Sequence, residues 1–320
     1  MPGLMRTLRV ASFSALIGVI AMTLGCEAGS ASIAPAQNAG VHAGTLRDHS
    51  NAKPADAGHA TAAEISEAID AAPPAGSARP LPFAGRETVS VAELFAAMRE
   101  EAAVIATSPA IGRDYRRLLA RHRLREADLA LDDYVRVKLA FEATRAGGLW
   151  GVAWTVTDRQ PQSDAVWAQW RALRLPDDRL PDITATAECD ELSALFAFVA
   201  HGMGVSRKSR LGLFWPTHNH TVAVWMIEHA RGETRIVAPT SQIFLDGAQS
   251  LDTRGFDPTR QRRIYDYRRE DAAATTRLPA ALARGFIAAL RRDGGRGEDE
   301  LQRNRNARES RQWRQLGRRG

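Results

Sequence analysis

Apolar positions fall at helical spacing along much of the middle of this chain. Ser90 predicts an N-cap for a helix running to about Ile105, with Leu94, Phe95, Met98 and Ala102 on one face. Two further helical stretches follow, near Arg113–His122 and Leu131–Ala146, and Gly147-Gly148 stops the second. Gly151–Thr157 reads as a strand or an extended linker. Asp164–Leu173 reads as a helix capped by Ser163, and Pro176 and Pro181 bound a loop. Thr184 or Thr186 is expected to cap a helix over Glu188–His201, which Gly202 or Gly204 ends. The pattern then shortens to a period of two. Leu211–Trp215 and Thr221–Ile227 predict strands. A polar turn over Glu228–Glu233 should hairpin the second onto Thr234–Val237. Ile243–Leu245 is a further apolar patch, and Pro279–Arg291 is amphipathic and predicts the final helix.

Helices followed by a small antiparallel sheet make the expected class α+β. The domain should cover residues 86–291, with a helical lead-in at 86–180 and a core at 184–246. Residues 27–85 are rich in Ala, Gly, Pro and Ser and poor in large apolar groups, so they predict a flexible tether. Residues 292–320 are charged and apolar-poor, which predicts a disordered tail.

The chain has 320 residues and a formal charge of +6. Residues 291–320 carry ten Arg against five Asp and Glu, a net of +5, which leaves about +1 for the rest. The basicity belongs to the tail, and the body offers no bulk case for a specific nucleic-acid partner. The tail's arginines, with Trp313 among them, could rest on anionic headgroups or remain solvated.

There are two cysteines, Cys26 and Cys189. Arg6 and Arg9 precede an apolar run, Val10 to Leu24, too short to span a bilayer comfortably. It ends in Thr23-Leu24-Gly25-Cys26, which resembles a bacterial lipobox, so Cys26 is the expected lipidation site of an exported, envelope-anchored protein. Thr23 stands where that signal prefers an aliphatic residue, so soluble export and an uncleaved anchor remain open. If Cys26 is lipidated, Cys189 has no disulfide partner, and its thiol is either buried inertly or used.

Cys189 falls at the start of a predicted helix, and His220 opens a strand about thirty residues later. A thiol at a helix N-terminus meets unpaired N–H groups that favour the thiolate. An imidazole can take its proton, and the same N–H groups can receive an oxyanion. Leu192, Leu195, Phe196 and Val199 share a face with Cys189, so the thiol should point toward the sheet.

These residues carry a resemblance. Cys189-Asp190-Glu191-Leu192-Ser193-Ala194-Leu195, then Gly202-Met203-Gly204-Val205, then His220-Thr221-Val222-Ala223-Val224-Trp225, then Val237-Ala238-Pro239-Thr240 follow the order of motifs in the transglutaminase-like branch of the papain-like cysteine peptidases. The match runs from Thr184 to Leu245. It implies a papain/transglutaminase-like fold with a Cys helix on a small antiparallel sheet. It also implies a thiol-dependent amide hydrolase or acyltransferase acting on peptide or protein substrates, without a cofactor. Cys189 would be the nucleophile and His220 the base. The family's orienting Asp falls where this chain has Ala238. Gln242 is the expected substitute, with Thr240 and the more distant Asp246 as alternatives; otherwise catalysis is weakened and the domain binds rather than cuts.

His218 and His220 form an H-x-H pair, but no further ligands are recognisable nearby, so no metal is expected. His218 is a candidate groove residue. Trp215, in the loop feeding His220, is a candidate groove wall, whereas Trp225 should be core. Trp150 and Trp154 also have a possible groove role.

Overall fold

The structure, a computed structural model, describes residues 79–156, 161–217, 220–241 and 263–318. All of these lie in one compact unit spanning residues 69–320. Helices α1 (Val91–Ile105), α2 (Pro109–His122), α3 (Leu131–Thr144) and α4 (Asp164–Ala172) come first, with short strands β1 (Thr88–Ser90), β2 (Val152–Trp154) and β3 (Ala185–Ala187) set among and after them. Helix α5 (Cys189–Gly202) follows, then strands β4 (Ser209–Thr217), β5 (His220–His229), β6 (Gly232–Ala238), β7 (Tyr265–Asp266) and β8 (Arg277–Pro279). Two helices close the chain, α6 (Ala280–Asp293) and α7 (Glu298–Leu316). The class is α+β.

The main sheet is antiparallel in the order β6-β5-β4-β7. Its two faces are read from alternation. Ala223, Trp225, Ile227, Ile236 and Ala238 join the large core that contains α5. Val222, Val224, Met226 and Val237 join Phe214 in a second cluster. Helix α5 is buried from Cys189 to Ala200, which matches a helix that is apolar on nearly all sides. It packs on β5 and β4, with α3 and α1 behind it. A layer of aromatic rings extends this core. Trp150 stacks on Phe286 at 4.3 Å, and Trp170 meets Trp150 and Trp167 edge-on. Trp225 is fully buried, as expected, and so is Trp150, whose place is the core rather than a groove.

Sequence and structure agree closely on α1. Ser90 Oγ accepts from Glu93 N, and Glu93 closes a capping box. Elsewhere the caps differ. Ser163 does stand before α4, but its hydroxyl is taken by Asp271 and by Trp167 Nε1. Helix α5 is capped by Glu188, not by Thr184 or Thr186. Those threonines sit at and beside β3, where Thr184 Oγ1 bridges Trp150 O and Trp170 Nε1 and Thr186 N donates to Gln169. The hairpin turn is tighter than expected: β5 runs to His229, and His229 pairs with Gly232.

Two domain boundaries are corrected. Residues 79–85, expected to belong to the tether, contact the folded body. Arg79 forms an ion pair with buried Glu101, Arg291 donates to Arg79 O at 2.8 Å, and Arg284 donates to Phe83 O at 2.9 Å. The tail expected to be disordered contains α7, which is anchored by buried Leu301, Arg305 and Gln312. Its arginines find carboxylates on the body, so a charged sequence folds without a broad apolar stripe. Arg308 pairs with Asp293 at 3.0 Å and Arg311 with Asp182 at 3.1 Å. No described helix is long and apolar enough to cross a membrane.

Candidate active site

Cys189 is the first residue of α5 and is 6% exposed. Strand β3 delivers it: β3 pairs in parallel with β2, and Thr155 N donates to Ala187 O at 2.9 Å. The chain therefore leaves an ordered ladder directly into the helix. Across the helix start, Thr221 N donates to Cys189 Sγ at 3.5 Å. The thiol faces the sheet, as its helical position predicts, and it meets β5 at the peptide joining His220 to Thr221.

One turn further along, Ser193 Oγ donates to Cys189 O at 2.7 Å and lies 2.9 Å from Thr240 Oγ1. Thr240 O accepts from Ala146 N at 2.8 Å. This buried network ties α5, the end of β6 and the end of α3 together behind the thiol. Ser193 is four residues after Cys189, so the helical period alone places both on one face. Thr240 is one of the expected substitute orienters. In the structure its hydroxyl is taken up by Ser193.

His220 opens β5 and is half-buried. By alternation it has the parity of Val222, the face turned away from α5. The β4–β5 register breaks between Phe214 and Thr217, and Thr217 then pairs with His220. The break adds a residue on β4 and leaves the period of β5 regular, so the expected pairing of imidazole and sulfur runs against the alternation of β5. Trp215 lies within the break and is 39% exposed. It meets Tyr265 edge-on at 5.2 Å. An exposed aromatic pair thus stands at this end of the sheet. Trp154, half-buried on β2, packs against Trp313 of α7 at 6.0 Å. Cys26, His218, Gln242 and Asp246 lie outside the described residues. Ala238 is fully buried opposite Ala223 on the face that receives α5.

The electrostatics run against the expected ion pair. Burial, with the Asp190 and Glu188 carboxylates, raises the Cys189 thiol's pKa, although Thr221 N–H opposes this. Burial lowers that of His220. Both shifts favour neutral thiol and neutral imidazole. The helix terminus and the N–H groups of Thr221 and Asp190 favour the thiolate, but desolvation and two acidic neighbours win. His201, at the other end of α5, is also pushed toward the neutral form by burial and by Arg268. Among the described residues no group of three or more His, Cys, Asp or Glu side chains could hold a metal.

Asp190 is the most perturbed acid in the site. Burial pushes its pKa up to about 6, with Glu188 and Glu191 adding to the shift and the Glu191 N–H opposing it. A carboxyl whose folded pKa exceeds its unfolded value loses stability as pH rises from about 4 to about 6. Asp190→Asn is therefore expected to gain about 1–2 kcal/mol at pH 7 and to flatten the stability curve over that interval. Urea unfolding at pH 4 and pH 7 measures both. The same substitution should move the pH midpoint for alkylation of Cys189 downward, because one of the charges raising it is gone.

Comparisons of the chain with family models, with curated proteins and with solved structures find no match.

Proposed function

We propose that this is a transglutaminase-like domain of the papain-like superfamily, exported and lipid-anchored at Cys26. Its activity is thiol-dependent hydrolysis or transfer of peptide or protein amides. The observation that carries this reading is the Thr221 N–H bond to Cys189 Sγ, which brings the thiol at the start of α5 to the strand that His220 opens. Cys189 attacks the amide carbonyl, His220 takes the thiol proton as the C–S bond forms, and it returns that proton to the leaving amine. N–H groups at the start of α5 receive the oxyanion. Water then gives hydrolysis, and an amine gives crosslinking. Because both groups rest neutral, proton transfer accompanies attack rather than preceding it.

A second reading is favoured by those pKa directions and by Ala238. The domain keeps the architecture and binds peptides through the Trp215 side without turning them over.

Alkylation by iodoacetamide separates the readings. The neutral pair predicts slow labelling of Cys189 at neutral pH, with a midpoint above that of cysteine in a short peptide. A midpoint below that peptide's would mean a resting ion pair and overturn the concerted scheme. The catalytic reading further requires an activated peptide ester or amide to acylate Cys189. It also requires His220→Ala to slow acylation by at least about a hundredfold. If no acyl adduct forms on the folded protein, the binding domain is the reading that survives.

A further inference from the structure

The far end of α5 borders a cavity of 370 Å³ that plays no part in the proposed chemistry. Its inner wall is apolar: Val91, Phe95 and Phe198, with Ala272. The two phenyl rings meet edge-on at 5.7 Å, and Trp167 backs both. Gly202 makes this wall possible, because a Cβ there would stand 2.2 Å from the Phe95 ring. The rim is charged, with Arg99, Arg268 and Arg269 set against Glu270, and His201, pushed toward its neutral form, beside them.

These cations are not equivalent. Arg268 and Arg269 already face Asp266 and Asp271. Arg99 donates to Gly202 O at 2.7 Å and meets no carboxylate among the described residues. The first N–H groups of α1 are also committed, Val91 N to Thr276 O and Ala92 N to Ala274 O. An anion entering the cavity would therefore be met by the guanidinium of Arg99, at the edge of a phenyl-lined wall. A concave apolar site with a few convergent polar groups is the usual form of a small-molecule site.

The geometry points to a binding site for a small amphiphile, an apolar body seated on Phe95 and Phe198 with a single carboxylate at Arg99. This site is independent of Cys189 and does not rest on the proposed activity. Guanidinium pairs well with carboxylate geometry, and a 370 Å³ cavity suits a medium-length chain or a single-ring acid.

Isothermal titration of the full chain with octanoate, octanol and octylamine tests it. Octanoate should bind saturably and at least about tenfold more tightly than either of the others. Arg99→Gln retains a donor for Gly202 O but removes the charge. It should weaken octanoate to the level of octanol and leave octanol unchanged. Ala92 is exposed at the second position of α1 and lines the cavity, so Ala92→Trp fills the space from outside the core. It should abolish binding of all three, with circular dichroism confirming the fold. The inference is overturned if octanoate fails to saturate, if the three ligands bind alike, or if folded Ala92→Trp still binds octanoate.

Discussion

A chain ended at Gly297 should be less stable than the whole protein by at least about 4 kcal/mol at pH 7. The segment removed is the one whose composition reads as disordered. Its loss uncovers the core around Leu301, which is 2% exposed. It also strips partners from carboxylates on the body. Asp293, almost fully buried, loses Arg308. Asp182 loses Arg311 and Gln315, and its carbonyl loses Gln312. Asp114, paired with buried Lys138 at 3.4 Å, loses the N–H of Glu298. Asp293 keeps Arg292 and Arg296 but loses its most buried cation, and Asp114 keeps Lys138 but loses an N–H, so weakened pairing adds to the lost apolar contacts. Urea unfolding of the two chains measures the difference. Stabilities within about 0.5 kcal/mol would mean that α7 is only laid on the surface.

Placing the family's aspartate at its motif position should damage the protein rather than repair it. Ala238→Asp is expected to cost about 3–5 kcal/mol at pH 7. Ala238 is fully buried, pairs with Ala223, and joins Trp225 and Ile236 on the face packed by α5. A carboxylate there enters an apolar layer. Its pKa would rise above the unfolded value of about 3.9, so the penalty should grow as pH rises through the carboxylate range and shrink near pH 4. Denaturation at the two pH values tests the sign. If Ala238→Asp is tolerated and speeds acylation of Cys189, a polar niche lies beside His220 and the buried-layer argument falls.

The limits of sequence reading are visible in particular residues. Ser90 and Glu93 act within one turn of each other, so a local motif sufficed to place α1. Thr184 and Thr186 looked like caps because cap preference is local, yet their hydroxyls answer to Trp150, Trp170 and Gln169, which tertiary packing brings near. Residues 298–316 offered no broad apolar stripe, and their helix is held largely by carboxylates far away in sequence. No local pattern reports such partners.

Cys189 and His220 show the same division. The linear pattern places a cysteine at a helix start, on one face with core residues, and a histidine at the opening of the second strand that follows. These follow from period and spacing, which are properties of the chain. The rest comes from contacts between distant segments. They set the sulfur beneath the Thr221 N–H, joined Ser193 to Thr240 behind it, and put Ala238 in an apolar layer. Burial also pushes both members of the pair toward their neutral forms. A helix terminus favours a thiolate wherever it occurs, but desolvation depends on what covers the group, and only the folded chain supplies that cover.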